Sequence, residues 1–324
     1  MEYATLDGIP AKLSRIVQGT VMISSDDQDA ANTLLDAVYE HGGRTFDTAH
    51  GYGGGACERA LGAWIASRGV RDEVVILGKG AHPYDGRKRV TPEDITSDLN
   101  ESLERMGVDV IDLYVLHRDN PELPVGPIVE ILNEHQRAGK IRQFGGSNWT
   151  TERIGEANQY AAEHGLNPFT VSSPNYSLAQ QRKAPWEGCI SISGESGASE
   201  RAWYIAQGMP VIPWSSLAGG FFSGRFDRRN LDTFTEYLDL LAVESYCFEE
   251  NFQRLDRVKE TAEHYDASIA QVALAWVLDG PMNTFPIVGS RTPEEFAANA
   301  AALDLKLTPQ EVAWIDLQTD ERPW

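Results

Sequence analysis

The sequence predicts an α/β fold, a single (β/α)₈ barrel of the TIM type spanning residues 1–324. Two observations carry this. Short β-rich runs alternate with amphipathic helical runs eight times along the chain, and no Pro/Ser-rich linker or composition shift divides it. Such alternation favours a closed parallel barrel over an open doubly wound sheet, and one barrel of about 250 residues with insertions accounts for the length.

Strands are expected at 15–22, 44–49, 74–80, 110–117, 141–148, 169–175, 210–216 and 283–290. Most are apolar with little alternation, the pattern of parallel strands covered on both faces. Between them Ala31, Leu34, Leu35, Val38 and Tyr39 recur at helical spacing. So do Ile95, Leu99, Leu103 and Met106, behind the helix-start pair Thr91-Pro92. Gly42, Gly107, Gly139 and Gly165 stand where these helices should stop. The connections 178–197 and 217–251, after the sixth and seventh strands, are long and would lie on the catalytic face. The segment 308–318 reads as an added C-terminal helix.

Apolar residues make up 42% and charged residues 23%, an ordinary globular balance. A net charge of −20 repels phosphate backbones, so nucleic acid is not an expected partner. Cys57, Cys189 and Cys247 are too few and too scattered for a disulfide framework or a zinc cluster, and no metal is expected. Met1 to Pro10 lacks the basic start and apolar run of a signal peptide, and the longest apolar stretch, 269–278, is too short to span a bilayer. A cytoplasmic protein without a membrane partner is expected.

Gly51-Tyr52-Gly53-Gly54-Gly55-Ala56 matches the dinucleotide fingerprint G-x-G-x-x-G/A between a strand and a helix. That fingerprint wants an acidic residue ending the next strand, where Leu77-Gly78-Lys79-Gly80 stands instead. The strand ends offer a better account. Asp47, Lys79 and His117 end three consecutive strands, Tyr52 follows the first of them, and parallel strand ends share one rim. Singly, each has an ordinary structural explanation: a turn cap, a solvated lysine, a satisfied core histidine, a packed tyrosine. Together they place a carboxylate, an ammonium, an imidazole and a phenol around one pocket.

These residues form part of an ordered set: Phe46-Asp47-Thr48-Ala49, Tyr52-Gly53, Gly78-Lys79, Leu116-His117-Arg118, Gly146-Ser147-Asn148, Trp214-Ser215-Ser216-Leu217 and Gly289-Ser290-Arg291-Thr292-Pro293. With it the chain resembles the aldo-keto reductases across essentially its whole length. The resemblance implies an oxidoreductase moving a hydride between NADP or NAD and a small carbonyl or alcohol compound: an aldehyde, a ketone or a sugar-like molecule. It makes Tyr52 the general acid, with a phenol pKa brought down from about 10 by Lys79. Asp47 would hold Lys79, and His117 would donate to the substrate oxygen.

The resemblance also implies a cofactor site. Ser147, Asn148 and Ser173 (where glutamine is usual) would meet the nicotinamide amide, and Trp214 would stack on its ring. Ser215 and Leu217 would follow the pyrophosphate. Gly289, Ser290 and Arg291 would form an anion site before a helix, and Asn299 would meet the adenine. Glu295 would repel a 2′-phosphate and Arg291 attract one, so the choice between NAD and NADP stays open. His50, Arg118, Asp119, Trp149, Tyr176, Trp186 and Phe221 are the expected substrate groups. Two other readings share the fold: a non-catalytic cofactor sensor or regulatory subunit, and a Schiff-base lyase or aldolase using Lys79.

Overall fold

A computed structural model describes all 324 residues. The chain opens on two short antiparallel strands, β1 (Tyr3–Ala4) and β2 (Leu13–Ser14). The barrel then runs β3 (Val17–Gly19), α1 (Gln28–Glu40), β4 (Thr45–Asp47), α2 (Ala56–Arg68), β5 (Val75–Gly80), α3 (Pro92–Met106), β6 (Ile111–Leu116), α4 (Val125–Arg137), β7 (Ile141–Ser147), α5 (Thr151–His164), β8 (Val171–Ser173) and α6 (Ala198–Gln207). After these come α7 (Tyr237–Tyr246), α8 (Glu249–Tyr265), α9 (Ile269–Leu278), β9 (Ile287–Val288), α10 (Pro293–Ala300) and α11 (Pro309–Ile315). Seven strands pair in parallel in the order β8-β7-β6-β5-β4-β3-β9.

Residues 210–214 close the ring between β8 and β9. Val211 forms parallel bridges to Ser172 on one side and Thr284 on the other. Ile212 N donates to Ser172 O at 2.8 Å, and Phe285 N donates to Val211 O at 2.8 Å. With a further parallel bridge from Asn175 to Trp214, the expected strand 210–216 is therefore only three isolated bridges. Pro210 and Pro213 have no N–H to give, so a continuous ladder cannot form there. The other strands lie within their expected ranges but are shorter.

The β1–β2 pair was not legible, because two-residue strands carry no periodicity. It caps the amino-terminal end of the barrel. Ser14 N donates to Thr45 Oγ1, and Gln143 Nε2 donates to Asp7 O, both at the starts of barrel strands. Ile9 and Leu13 thereby join Val17, Val75, Leu77, Leu113, Val115, Val171, Ile212, Phe285 and Ile287 in one apolar cluster inside the barrel. A second, larger core fills the layer between strands and helices, with Phe46 against Trp64 at 5.1 Å between ring centroids.

Helix ends follow the local signals. Thr91 accepts from Asp94 N at the start of α3, and left-handed Gly107 (φ 64°) ends it. Thr308 and Glu311 form a reciprocal capping box on α11. Connection 217–251 contains its own helix, α7, whereas 178–197 carries only a short 3₁₀ turn near its end.

The sheet is tight at Gly145 in β7, where an added Cβ would stand 1.8 Å from Val171 O, a backbone atom. Gly145→Ala should therefore cost about 3 kcal/mol or more in urea unfolding, since neither strand can give way cheaply.

Candidate active site

The two-residue period of a strand sets the site. Val75 and Leu77 face the barrel interior, and so therefore does Lys79; Leu113 and Val115 do the same for His117, just past β6. Asp47 ends β4 in register with Leu77. Tyr52 follows on a short 3₁₀ turn, Tyr52–Gly55, before α2.

All three Lys79 N–H donors are committed. Nζ donates to Asp47 Oδ1, to Thr48 O at 3.3 Å and to Tyr52 OH at 3.3 Å. Lys79 is 2% exposed and Asp47 3%. Burial works to discharge Lys79, but Asp47 and Tyr52 together more than offset it, and its pKa stands above the ordinary lysine value. Burial pushes the Tyr52 phenol up, and the Asp47 charge adds to this; the opposing pull of Lys79 and Arg118 does not overcome it. The expected net lowering by Lys79 is thus reversed, because desolvation outweighs one neighbouring cation. The phenol is held protonated.

His117 is neutral at physiological pH. Burial, then Lys79, Arg118 and His82, drive its pKa well below the usual histidine value. Its ring stands edge-to-face with Tyr52 at 5.8 Å and with His82 at 4.8 Å. Its Nδ1 is buried without a hydrogen-bond partner.

Backbone strain gathers at this rim. Ala81 (φ 61°), Asn148 (59°), Ser215 (53°) and Ala218 (53°) are left-handed, and all lie just beyond carboxyl ends of barrel strands. Ser147 Oγ donates to Ser173 O at 2.7 Å. Asn148 is fully occupied: Nδ2 donates to His117 O and Ser147 Oγ, while Oδ1 accepts from Ile190 N and Trp214 Nε1. It ties the rim together. Ser173 Oγ, by contrast, is buried without a partner.

Trp214, Ser215 and Leu217 are partly exposed along the same edge. Beyond the neighbouring strand β9, Gly289 and Arg291 are exposed, and Ser290 is buried, its Oγ accepting from Asn299 Nδ2 at 3.1 Å. Glu295 accepts the Arg291 backbone N–H at 2.7 Å, placing a carboxylate at the start of α10.

The expected substrate groups divide. Trp186 is 40% exposed and 6.3 Å from Trp214, and its Nε1 donates to Tyr237 OH. The others serve the fold. His50 is bonded to Glu101, Asp119 pairs with Arg153, and Arg118 donates to Glu187 O and His117 O. Trp149 is buried against Phe169, Tyr176 is buried against Trp276, and Phe221 lies among Phe222, Phe226 and Phe252. Their ring types suited a pocket, but packing enclosed them.

Sequence reasoning missed two further residues, one beside His117 and one packed by Gly220 in the loop beyond Trp214. His82 is exposed beside His117, with Nδ1 bonded to its neighbour Pro83 O, which leaves Nε2 as an acceptor. Arg225 follows the left-handed segment Ala218–Gly220 and forms a bidentate pair with Asp239. Neither residue carries a spacing that marks it in isolation.

The model of the aldo/keto reductase family matches residues 15–318, and the chain belongs to that family. It is 29% identical over 320 residues to a Bacillus subtilis protein named uncharacterized oxidoreductase YrpG, covering 95% of this chain and 92% of the relative. It is 28% identical to versiconal hemiacetal acetate reductase of Aspergillus parasiticus, covering 98% and 96%. To the probable aryl-alcohol dehydrogenase AAD4 of Saccharomyces cerevisiae it is 26% identical, covering 91% and 89%. The protein is an oxidoreductase of a family that uses NADP or NAD. No helix is long and apolar enough to cross a membrane.

Removing Asp47 would strand the buried Lys79 charge. Asp47→Ala should lose about 3–5 kcal/mol in urea unfolding, and the apolar pair Asp47→Leu with Lys79→Met should recover most of it.

Proposed function

We propose that this protein is a nicotinamide-dependent carbonyl reductase, reversible as an alcohol dehydrogenase, in which Tyr52 gives a proton to the substrate oxygen and takes it back in oxidation. The observation that carries this is the buried Lys79, bonded at once to Asp47 and to the Tyr52 phenol.

The rim suits the cofactor. Ser173 Oγ is a buried hydroxyl with no partner, and the left-handed run Ser215, Ala218, Gly219 and Gly220 bends the backbone beside Trp214. Ser147 and Ser173 would hold the nicotinamide amide, with Asn148 bracing them. Trp214 would cover the ring, and Ser215, Leu217, Arg291 and the start of α10 would follow the phosphates. When bound, the cofactor supplies the hydride.

The remaining chemistry belongs to the chain. Neutral His117 orients the carbonyl oxygen without adding a full charge, and Tyr52 OH delivers its proton there. Lys79 lowers the cost of the phenolate left behind, and Asp47 keeps Lys79 in place. The Schiff-base alternative loses support, because a charged, fully hydrogen-bonded Lys79 is a poor nucleophile.

For substrate, we favour a carbonyl on a flat ring over a sugar. His50 and Arg118, the polar groups suited to sugar hydroxyls, are already bonded within the protein, whereas Trp186 is an exposed aromatic residue beside Trp214. The name of the yeast relative points the same way. Glu295 at the start of α10 favours NAD over a cofactor carrying a 2′-phosphate.

Titrating NADH or NADPH should quench tryptophan fluorescence through Trp214. Tyr52→Phe should keep that binding while losing about 10²–10⁴-fold in benzaldehyde reduction. An unchanged rate in that variant, or no quenching by either cofactor, contradicts the proposal. Glu295→Gln should tighten NADPH binding relative to NADH, read by the same titration.

A further inference from the structure

The glycine run around Tyr52 lacks the context of a dinucleotide fingerprint, and the structure gives it another purpose. Gly53, Gly54 and Gly55 all have positive φ (54°, 59° and 89°). At Gly55 an added Cβ would meet the Arg105 guanidinium at 2.8–2.9 Å. Arg105 reaches there from the last turn of α3. Its Nη1 donates to His50 O at 2.9 Å and to Glu58 Oε2 at 3.1 Å, and its Nη2 donates to Glu101 Oε2 at 2.9 Å. Glu58 is fully buried, so the guanidinium is anchored from beneath.

Tyr52 therefore sits between the His50 carbonyl, which Arg105 bonds, and Gly55, whose bare backbone leaves the room that the same guanidinium occupies. Its own bonds are few, from N to Ala49 O and from Lys79 Nζ to its hydroxyl. The other flank is tied to β5, where His50 N donates to Lys79 O at 2.8 Å. We propose that Arg105 is a positioning residue for catalysis: its guanidinium clamps the 50–55 turn so that the Tyr52 hydroxyl stays against Lys79. Gly55 is there because no side chain fits beneath that guanidinium, while Gly53 and Gly54 supply the positive φ of the turn. The kinetic part rests on the reading of Tyr52 as proton donor; the geometric part does not.

The test compares wild type with Arg105→Met and Arg105→Lys, using NADH or NADPH and benzaldehyde. Misplacing a reacting group by about 1 Å can cost about a hundredfold. Arg105→Met should lower kcat about 10- to 100-fold, with KM and cofactor affinity within about twofold, and Arg105→Lys should recover part of the loss. In each background, ultraviolet titration differenced against Tyr52→Phe reads the phenol directly. Loosening the turn admits water, so the phenol pKa should fall toward about 10 in Arg105→Met.

Lower stability in Arg105→Met with unchanged kcat and an unchanged Tyr52 titration would overturn the clamp and leave Arg105 a structural residue. If Arg105→Met does not fold, Glu58→Gln loosens the same anchor and should move both readouts the same way by less; no movement overturns the proposal. If wild type reduces no carbonyl, the functional reading fails, and the phenol titration alone decides the clamp.

Discussion

A lysine ammonium with 2% of its surface exposed has to be met by protein on every side. Burying such a charge without partners costs several kcal/mol, and the rest of this site follows from how that cost is met. The inward face of β5 puts Lys79 in the barrel, β4 supplies the Asp47 carboxylate beside it, and the turn after β4 supplies Thr48 O and the Tyr52 hydroxyl. The pocket is then a place where a phenol can give up its proton next to a fixed positive charge.

The same desolvation acts in opposite senses on the neighbours. It holds Tyr52 protonated and His117 neutral, so one group is ready to donate a proton and the other to orient an oxygen without competing for it. Around them, left-handed residues at Ala81, Asn148, Ser215 and Ala218 and the fully bonded Asn148 amide make the rim stiff. Stiffness matters because a donor shifted by an ångström loses most of its use.

The barrel and the Asp47, Lys79, His117 strand-end pattern were legible in the sequence, because strand period and strand order alone decide which residues reach the rim. What depended on packing was not. Trp149 and Phe221 looked like pocket groups by type, and only the fold shows them enclosed; His50 and Arg118 looked free and are spent on Glu101 and Glu187. The sign of the Tyr52 shift was missed for the same reason, since the lysine could be read from the sequence and the depth of burial could not. Pro210 and Pro213, by contrast, mark in the sequence itself why 210–216 forms bridges and not a strand.

The most direct test is the pH dependence of alcohol oxidation in wild type and Lys79→Met. Oxidation needs the phenolate, which a raised pKa makes scarce near neutrality, so the wild-type rate should climb with pH. Without the Lys79 charge, and with Asp47 still beside the phenol, the inflection should move further up and the neutral-pH rate should collapse. A Lys79→Met profile that overlays the wild type would contradict the account, because Tyr52 would then work without the charge around which the site is built.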